Sequence, residues 1–592
     1  MPAVLSRITG LALRYPWRVA LTVVTSLFAT IANLALPRLF GRSIDEAHHL
    51  LAKGSAGSAA ATHTLLIIAL TVIVATGARG FLTMAAGFQG EYLSQKVGLD
   101  LRLRFFQQLQ RLSFGFHDRV HSGDLITRGM LDLEGARSFI QQALAPSLSL
   151  VLQLGFSAYM MIAIDPWMAL IGLSFVPVAS FALGRMGFLL RVAWLRVQQF
   201  QSQLTLIMEE NLQGIRVVRA FAGRAFEMAK FDAAAKSVLA VQYERLTLRF
   251  KGLAGMQLSY YAALGALLWY GGDQVLAGRM SVGKLTEFSI YMTFLQAPIR
   301  QIAMIFSTAA RATSSGARLF EVLDLEPEVA DAPNAGALSA GDGVLRFEGV
   351  GFAYDPIKPV LHDITFEVGP GRTLGIVGPP GSGKSTIANL IPRFYDVTQG
   401  RITIGGTDIR TVTLSSLREH VGLVQQESFL FDATVGHNVA YADPWADDER
   451  IEAAARTAQI HDHVSRLPQR YETRVGERGV AFSGGQRQRM SIARGVVPGP
   501  GIVIFDDSTA AIDAVTERKV REGLAAATRA KTTVIIAHRL SSLMHADEII
   551  VLSHGRIAER GDHASLLAAG GAYAELFELQ SRAASGALEP AA

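Results

Sequence analysis

The hydrophobic pattern of the chain changes near residue 320. Before this point long uncharged runs recur, whereas after it short apolar runs alternate with helical and glycine-rich segments. A helix needs about 20 predominantly apolar residues to cross roughly 30 Å of hydrocarbon, and short apolar runs between turn residues are typical of buried strands. The pattern therefore predicts membrane helices in the first part and a soluble α/β domain in the second.

Six runs come close to the spanning length, at about 19–37, 65–88, 143–164, 167–183, 253–271 and 282–306. A signal peptide would have an apolar core of roughly 7–15 residues followed by a small-residue cleavage site. The first run is longer than that, and no clear cleavage site follows it. We therefore expect a retained first helix and a transmembrane domain with six helices over residues 1–325.

The basic residues indicate how these helices are oriented. Lys and Arg concentrate before the first run and in two long connections, 89–142 and 184–251. Because cytoplasmic loops carry the excess of Lys and Arg, these segments are expected in the cytoplasm, and an even number of helices returns the chain there. The connections are too long for simple loops, and we expect helices that turn near Ser122 and Gly214.

Composition narrows the possible functions. Half of the 592 residues are hydrophobic and only 18% are charged, which excludes a disordered chain. Cysteine is absent, so disulfides, Cys-ligated zinc and thiol nucleophiles are excluded. The net charge of +5 is modest, and no concentrated basic stripe is present. Nucleic acid is therefore not an expected partner.

A phosphate-binding loop follows a short apolar strand at 375–377. The segment 378–385 fits the pattern G-x-x-x-x-G-K-[ST], and a helical pattern follows it, as this motif requires. Glycines let backbone N–H groups surround phosphate oxygens, while Lys384 is expected to reach the β- and γ-phosphates and Ser385 to bind Mg²⁺. The candidate nucleotide-binding residues here are Gly378, Pro379, Pro380, Gly381, Ser382, Gly383, Lys384, Ser385 and Thr386.

A second apolar strand, at 502–505, ends in Asp506 and Asp507. A carboxylate delivered by a buried strand is the expected Mg²⁺ ligand beside such a loop. Asp506 is therefore the predicted metal ligand. The two motifs together predict an ATP or GTP site.

Between these motifs lies the segment Phe482-Ser483-Gly484-Gly485-Gln486. It resembles the signature of the ATP-binding-cassette (ABC) transporters, and the resemblance extends over about residues 15–580. It implies ATP and Mg²⁺ as cofactors and assigns further roles by position. Tyr354 would stack on adenine, Gln426 would lie near Mg²⁺ and the surface that couples to the membrane helices, and His538 would contact the γ-phosphate. The family's exporter-type X-loop and D-loop match 473–479 and 510–513.

The first half resembles the exporter members of the family. The implied fold is a six-helix transmembrane domain with cytoplasmic coupling segments near 122–126 and 212–218. A linker at 326–342 leads to an α/β P-loop NTPase domain of the ABC type at 343–582, with a tail at 583–592. Such subunits work as dimers, in which Ser483, Gly484, Gly485 and Gln486 would close over the ATP held by the other subunit.

Two positions depart from the family pattern. Asp507 stands where hydrolytic members place a Glu that activates water, and Ala510 replaces the usual first Ser of the D-loop. We therefore expect a weakly hydrolysing site in a heterodimer, completed by a different half-transporter that carries the Glu. A homodimer with Asp507 as a slower base is the alternative.

The expected function is ATP-driven export of a small molecule, lipid or peptide, from a bacterial inner membrane. Three other classes compete with it: an importer on the same scaffold, an ATP-gated channel, and a soluble ATP-driven machine, against which the membrane runs argue. Arg79, deep in the second run, is a candidate cargo contact, as are Tyr260 and Tyr261 in the fifth. An inward-facing Arg79 would favour an anionic or amphipathic cargo.

Overall fold

The computed structural model describes residues 2–52, 59–339, 343–476, 479, 482–507, 512, 514–527, 529–537 and 539–584. The chain forms two compact units. The helical unit comprises Met1–Gln110 and Ser122–Leu325. The α/β unit comprises Arg111–His121 and Glu326–Ala592, so that it includes a short segment from within the first half of the chain.

Long helices dominate the first half. In chain order the helices are α1 (Pro2–Leu13), α2 (Pro16–Ala52), α3 (Ala59–Arg111), α4 (Phe114–Arg119), α5 (Ser122–Thr127), α6 (Leu133–Phe139), α7 (Ala145–Ile164), α8 (Pro166–Leu173), α9 (Phe175–Gln213), α10 (Ile215–Ala220), α11 (Arg224–Leu276), α12 (Val282–Phe294) and α13 (Gln296–Leu323). Two π-helical segments, Arg128–Asp132 and Ile140–Leu144, join α5, α6 and α7. The helices continue well beyond the apolar runs, because polar turns extend them without adding hydrophobicity.

Four helical stretches of the described chain are long and apolar enough to cross a membrane: Pro16–Leu50, Thr62–Arg111, Ser122–Ile164 and Pro166–Gln213. The fifth predicted run lies within α11, where tyrosine and tryptophan lower the mean hydropathy. The sixth is divided, since α12 ends at Phe294 and α13 begins at Gln296. The count of six predicted runs therefore exceeds the four helices that meet this criterion.

Buried aromatic and sulfur-containing side chains form the core of the helical unit. Tyr291 donates a hydrogen bond to the Leu34 carbonyl at 3.0 Å. Tyr260, a predicted cargo contact, is instead buried, with its hydroxyl 2.9 Å from Thr293 Oγ1 and its ring edge-on to Phe175. Tyr261 remains 56% exposed, which leaves it as the accessible member of that pair.

The described residues of the α/β unit form two sheets. Its strands are β1 (Leu345–Asp355), β2 (Lys358–Val368), β3 (Thr373–Val377), β4 (Gln399–Ile404), β5 (Thr407–Asp408), β6 (Val421–Val424), β7 (Ile502–Asp506), β8 (Thr532–Ile536), β9 (Glu548–Ser553) and β10 (Arg556–Gly561). One sheet is antiparallel, in the order β2-β1-β4-β5. The other has the order β10-β9-β3-β8-β7-β6, and all its pairs except β9 with β10 are parallel.

The remaining helices are α14 (Lys384–Leu390), α15 (Leu414–His420), α16 (Val435–Val439), α17 (Asp448–Thr457), α18 (His461–Ser465), α19 (Gly484–Val496), α20 (Ala514–Ala527), α21 (His563–Ala569) and α22 (Ala572–Ala584). Three hydrophobic cores lie among the described residues of this unit. One joins α14 to both sheets, and a second packs α16, α17 and α19 against β7. The third packs α21 and the start of α22 against β9. Parallel strands bring their carboxyl ends to one edge, so the loops after β3, β6, β7 and β8 come together there.

Candidate nucleotide-binding site

The phosphate loop connects β3 to α14 in a tight path. Gly381 and Gly383 have φ values of +77° and +101°, in the left-handed region that favours glycine. A Cβ atom on Gly383 would lie 2.5 Å from Leu361 Cδ2, so the loop also packs closely against β2. Gly381 is therefore favoured by its conformation alone, whereas Gly383 is required for both conformation and space.

Lys384 is folded back into this loop. Its ammonium donates to the carbonyl oxygens of Gly378 and Pro379 at 2.8 and 3.0 Å, and the residue is only 5% exposed. Burial lowers the pKa of Lys384, and the nearby carboxylates of Asp506 and Asp507 act in the opposite direction. A cation held among carbonyls, beside two acids, is placed to attract a phosphate.

Ser382 gives an independent test of whether a phosphate fits. Its residue is 3% exposed, and its Oγ is buried without a hydrogen-bond partner among the described residues. Buried hydroxyl groups are rarely left unpaired, since the desolvation cost is then uncompensated. A hydroxyl of this kind within a glycine-rich loop fits a phosphate oxygen as its missing partner.

The predicted metal ligands lie next to each other. Ser385 Oγ donates to Asp506 Oδ1 at 3.3 Å, and Asp506 is the last residue of β7. The described residues contain no group of three His, Cys, Asp or Glu side chains that could hold a metal alone. That is compatible with Mg²⁺, which is usually held by one or two carboxylates together with substrate phosphates. Ser385 and Asp506 therefore fit a phosphate-bound Mg²⁺.

Gln426 and Asp507 are brought within reach of each other. Gln426 Nε2 lies 3.4 Å from Asp507 Oδ2, a long hydrogen bond. Asp507 is 9% exposed, and its backbone N–H donates to the Ile536 carbonyl at 2.8 Å. Its φ of +43° lies in the left-handed region, which Asp enters more readily than most residues. Gln426 follows β6 and Asp507 follows β7, and these strands are neighbours in the sheet, so the two side chains lie close together.

The side chain of Tyr354 lies near the phosphate loop. It lies in β1, its ring is half-exposed, and its hydroxyl donates to Thr386 Oγ1 at 3.3 Å. Two rings hold it edge-on: Phe352, with centroids 4.8 Å apart, and Tyr395, at 5.1 Å. An open aromatic face beside the loop is suited to stacking on a base.

Tyr395 is a contact that sequence reasoning missed. It lies beyond the end of α14, next to Phe394, and no local sequence signal points to its partner, which is distant along the chain. Its hydroxyl hydrogen-bonds the carboxylate of Asp118 in α4. Burial and that carboxylate raise the pKa of Tyr395 well above its ordinary value.

The signature segment forms the start of α19. Ser483 is its N-cap: Ser483 Oγ accepts from Gln486 N at 3.3 Å, while Gln486 Oε1 accepts from Ser483 N at 2.8 Å. Gly484 and Gly485 occupy the first turn. Phe482 is 6% exposed and belongs to the core beneath α19, so an apolar side chain is required there.

The predicted coupling segment near 122–126 begins α5, in the helical unit. The stretch of this connection that packs within the α/β unit lies earlier, at 111–121, and includes α4. Phe114 and Asp118 of α4 contact Phe394 and Tyr395, respectively. The second predicted segment, 212–218, spans the turn between α9 and α10.

Several predicted positions lie outside the described residues. They are His538, the D-loop residues Ala510, Ala511 and Asp513, and Glu477 and Arg478 of the X-loop. Their assignments remain expectations from the family resemblance.

Two family models match the chain. The model described as ABC transporter transmembrane region matches residues 19–299, and the model described as ABC transporter matches residues 361–510. These matches correspond to the helical unit and to the part of the α/β unit that carries the phosphate loop and the signature.

Individual relatives are similar over nearly the whole chain. An ATP-dependent lipid A-core flippase of Syntrophus aciditrophicus is 33% identical, covering 87% of this chain and 85% of the relative. A putative multidrug export ATP-binding/permease protein of Bacillus subtilis is 32% identical, covering 96% of this chain and 97% of the relative. A multidrug efflux ATP-binding/permease protein of Mycobacterium bovis is 36% identical over 94% of this chain, but over only 46% of its own length.

A solved structure has the same fold. The structure of a bacterial Atm1-family ABC exporter with ATP bound superposes with a TM-score of 0.79 at 31% identity, covering 98% of this chain and 99% of that one. The likeness extends through both units, because nearly all of each chain is included.

Proposed function

Because the chain belongs to the ABC transporters and combines a transmembrane region with an ATPase domain as their exporter-type half-transporters do, we propose that it is the weakly hydrolysing subunit of a heterodimeric exporter. That it is an ATP-hydrolysing membrane transporter of the exporter type follows from the family. In the proposed heterodimer, this chain's ATP site hydrolyses weakly and the other ATP site carries out most of the hydrolysis.

Asp507 is the observation that carries this proposal. An Asp side chain is one methylene shorter than Glu, so its carboxylate falls roughly 1.5 Å short, and a misplacement of about 1 Å can cost on the order of 100-fold in rate. The hydrogen bond from Asp507 N to Ile536 O and the burial of the residue oppose a compensating backbone shift. ATP would thus be bound here and hydrolysed slowly.

Binding needs only groups that the site retains. Lys384 and Ser382 would hold phosphate oxygens, Ser385 and Asp506 would hold Mg²⁺, and Tyr354 would stack on adenine. ATP bound with Mg²⁺ would supply the phosphate oxygens that a partner's signature segment could bind. His538 would contact the γ-phosphate, and Gln426 would lie near the bound Mg²⁺.

The signature segment supports pairing with a competent partner. Ser483, Gly484, Gly485 and Gln486 all keep the family's residue types and would close over the partner's ATP. The Mycobacterium relative matches this chain over slightly less than half of its length, which leaves room there for a second half of similar size. A different partner subunit with a Glu would complete one working site.

Relatives named for lipid A-core flipping and for multidrug export favour an amphipathic cargo moved outward. The chain would lie in a bacterial inner membrane, in contact with lipids, with its N-terminus and α/β unit in the cytoplasm. The excess of Lys and Arg in 89–142 and 184–251 supports this topology.

The test begins with this chain purified alone. The heterodimer proposal expects little ATP turnover, whereas a stable homodimer with vigorous turnover would contradict it. In the complete assembly, Asp507→Glu should raise turnover at this site. The matched change, Glu to Gln at the corresponding position of the partner, should abolish most of the activity.

A further inference from the structure

An apolar cavity opens within the helical unit, beside the turn between α1 and α2. Its volume is about 420 Å³, and its lining comes from α1, α2, α3, α7 and the π-helical segment before α7. Aliphatic side chains form most of this lining, among them Leu93, Ile140 and Val151. An apolar cavity of about 150 Å³ is large enough to hold benzene. This cavity therefore has room for a single acyl chain.

The hydroxyl groups in the lining do not make the cavity polar. Thr9, Thr22 and Ser147 each donate their hydroxyl proton to a backbone carbonyl of their own helix, at 2.9, 2.9 and 2.7 Å. A hydroxyl group has only one proton to donate, so these three side chains have no further donor for a ligand. The lining is thus suited to hydrocarbon and not to a polar molecule.

Contacts at both ends of α1 hold the cavity open. Near the start of α1, Arg7 donates to both carboxylate oxygens of Asp324 at 2.7 Å, and its guanidinium lies 3.8 Å from the ring centroid of Phe320. Just past the end of α1, Tyr15 donates to Asp100 Oδ2 in α3 at 2.9 Å. Because α1 is fixed to other helices in this way, it cannot move inward to fill the space.

Positive charge gathers at the turn beside the cavity. Arg14 and Arg18 each adjoin a lining residue along the chain. The guanidinium of Arg18 and the ammonium of Lys96 both lie over the ring of Tyr92, at 4.4 and 5.8 Å from its centroid. Trp17, between the two arginines, is 75% exposed, and tryptophan favours the membrane–water interface. An anionic group at the end of an acyl chain would meet these cations there.

The acidic residues of this part of α3 already have partners. Glu91 Oε1 lies 3.3 Å from Arg137 Nη1, and Asp100 accepts the hydrogen bond from Tyr15. Basic residues next to a membrane surface attract anionic lipids. The turn between α1 and α2 therefore favours a lipid with a negatively charged headgroup over a zwitterionic one.

We propose that this cavity is a resident binding site for an anionic phospholipid of the surrounding membrane. One acyl chain lies between α1 and α7, and the phosphate lies at the basic turn. The inference goes beyond the proposed function and depends on it only in that the chain spans a membrane with this turn at the surface. The lipid is a bound component of the transporter and not its cargo.

Photolabelling in the complete transporter tests the site. The assembly is reconstituted into phosphatidylcholine nanodiscs that contain a trace of phosphatidylglycerol with a photoactivatable diazirine in its acyl chain. We expect the label on peptides of α1, α2 or α7 that line the cavity. Unlabelled phosphatidylglycerol should compete at least about fivefold better than phosphatidylethanolamine with the same chains, the effect of one basic residue near an anionic surface.

Ser147→Trp places a large ring where the acyl chain would lie and should abolish most of the labelling. Thr83→Trp is the matched control, because Thr83 also lies in an apolar run and donates to a carbonyl of its own helix, at 2.9 Å, but is exposed outside the cavity. Unchanged melting temperature in both variants shows that they fold. Equal labelling in the two variants overturns the cavity as the site.

Arg14→Gln tests the headgroup without changing the cavity, since Arg14 is exposed. It should reduce competition by phosphatidylglycerol toward that of phosphatidylethanolamine, whereas Arg185→Gln, at an exposed arginine of α9, should not. Equal competition by the two lipids in the unsubstituted protein overturns the anionic assignment.

Two further outcomes would also overturn the proposal. If no lining peptide is labelled, as when a helix of the partner subunit covers the cavity, no lipid resides there. If the label is lost while Mg²⁺ and ATP are turned over and returns when ATP is exhausted, the lipid is cargo. Labelling is otherwise measured without nucleotide, so a vigorously hydrolysing homodimer would contradict the proposed function and leave the lipid site unaffected.

Discussion

The phosphate loop and the signature segment satisfy their polar groups in opposite ways. In the loop, Ser382 has a buried hydroxyl without a partner, and Lys384 is held by the loop's own carbonyls. In the signature, Ser483 and Gln486 exchange two hydrogen bonds and close the first turn of α19. The loop is thus a site incomplete without a ligand, whereas the signature is already formed before it meets one.

Asp507, which departs from the family pattern, lies beside the phosphate loop and not beside the signature segment. Asp507 adjoins the phosphate loop through Asp506 and Ser385, while the signature keeps its Ser-Gly-Gly-Gln sequence. The two segments also rest on separate hydrophobic cores, one around α14 and the other around α19. Loss of hydrolysis in the first would therefore leave the second intact, which is the arrangement that a subunit serving its partner's ATP requires.

The largest expected effect is on ATP binding in Lys384→Ala. Removing the ammonium deletes charge-assisted hydrogen bonds worth about 1.5–3 kcal/mol each, so affinity at this chain's site should fall on the order of 100-fold. Binding of a fluorescent ATP analogue measures it. Lys531→Ala is the control, since Lys531 is also a lysine of the α/β unit whose pKa is lowered by burial. Equal affinity in both variants would contradict the role of Lys384.

A smaller effect is expected in Ser483→Ala. ATP affinity at this chain's own site should stay unchanged, while turnover of the assembly falls by about tenfold, the loss of roughly one hydrogen bond to a charged group. The variant also loses a helix cap, which costs about 1 kcal/mol of stability. Thr413→Ala separates the two effects, because Thr413 caps α15 in the same way. If Thr413→Ala lowers turnover equally, the signature has no role beyond capping.

The features that could be predicted from the sequence are those formed by residues close together in the chain. The phosphate loop could be recognised because its glycines, Lys384 and the flanking strand are contiguous, and the Ser385 and Asp506 contact follows from a known pairing of motifs. Tyr395 could not be found in this way, since its partner Asp118 is 277 residues away and only the fold joins them. The break in the sixth run at Leu295 likewise leaves no clear signal in hydropathy.

The extents of the helices were also beyond prediction from hydropathy. The apolar run at 65–88 lies within α3, which has 53 residues, because its polar turns continue the helix toward α4. Helix propensity is a weak guide to such ends, since tertiary packing overrides it. The position of α4 depends on contacts with Phe394 and Tyr395, which the local sequence does not contain.

The smallest expected effect is a pH dependence of the Tm that arises at His463, next to the signature segment. His463 Nδ1 lies 3.5 Å from Gln486 Nε2, and the His463 ring is edge-on to Phe482. Burial, and then the positive charges of Arg489 and Arg466, lower the pKa of His463 below its ordinary value near 6.5. Neutral His463 can accept from Gln486, whereas the protonated ring cannot.

A lowered pKa means that the unfolded chain binds the proton more tightly. Stability from His463 is therefore complete above pH 6.5 and is lost as pH falls from there through the lower pKa of the folded state. Lowering the pH from 7.5 to 5.5 should therefore lower the Tm of the purified transporter. In His463→Asn, the same change of pH should lower the Tm by less. His461→Asn is the control, because His461 neighbours it but hydrogen-bonds Tyr471 instead. ATP affinity at Lys384 should not follow this transition, since the loop rests on the other core; if it does, the two segments are not independent.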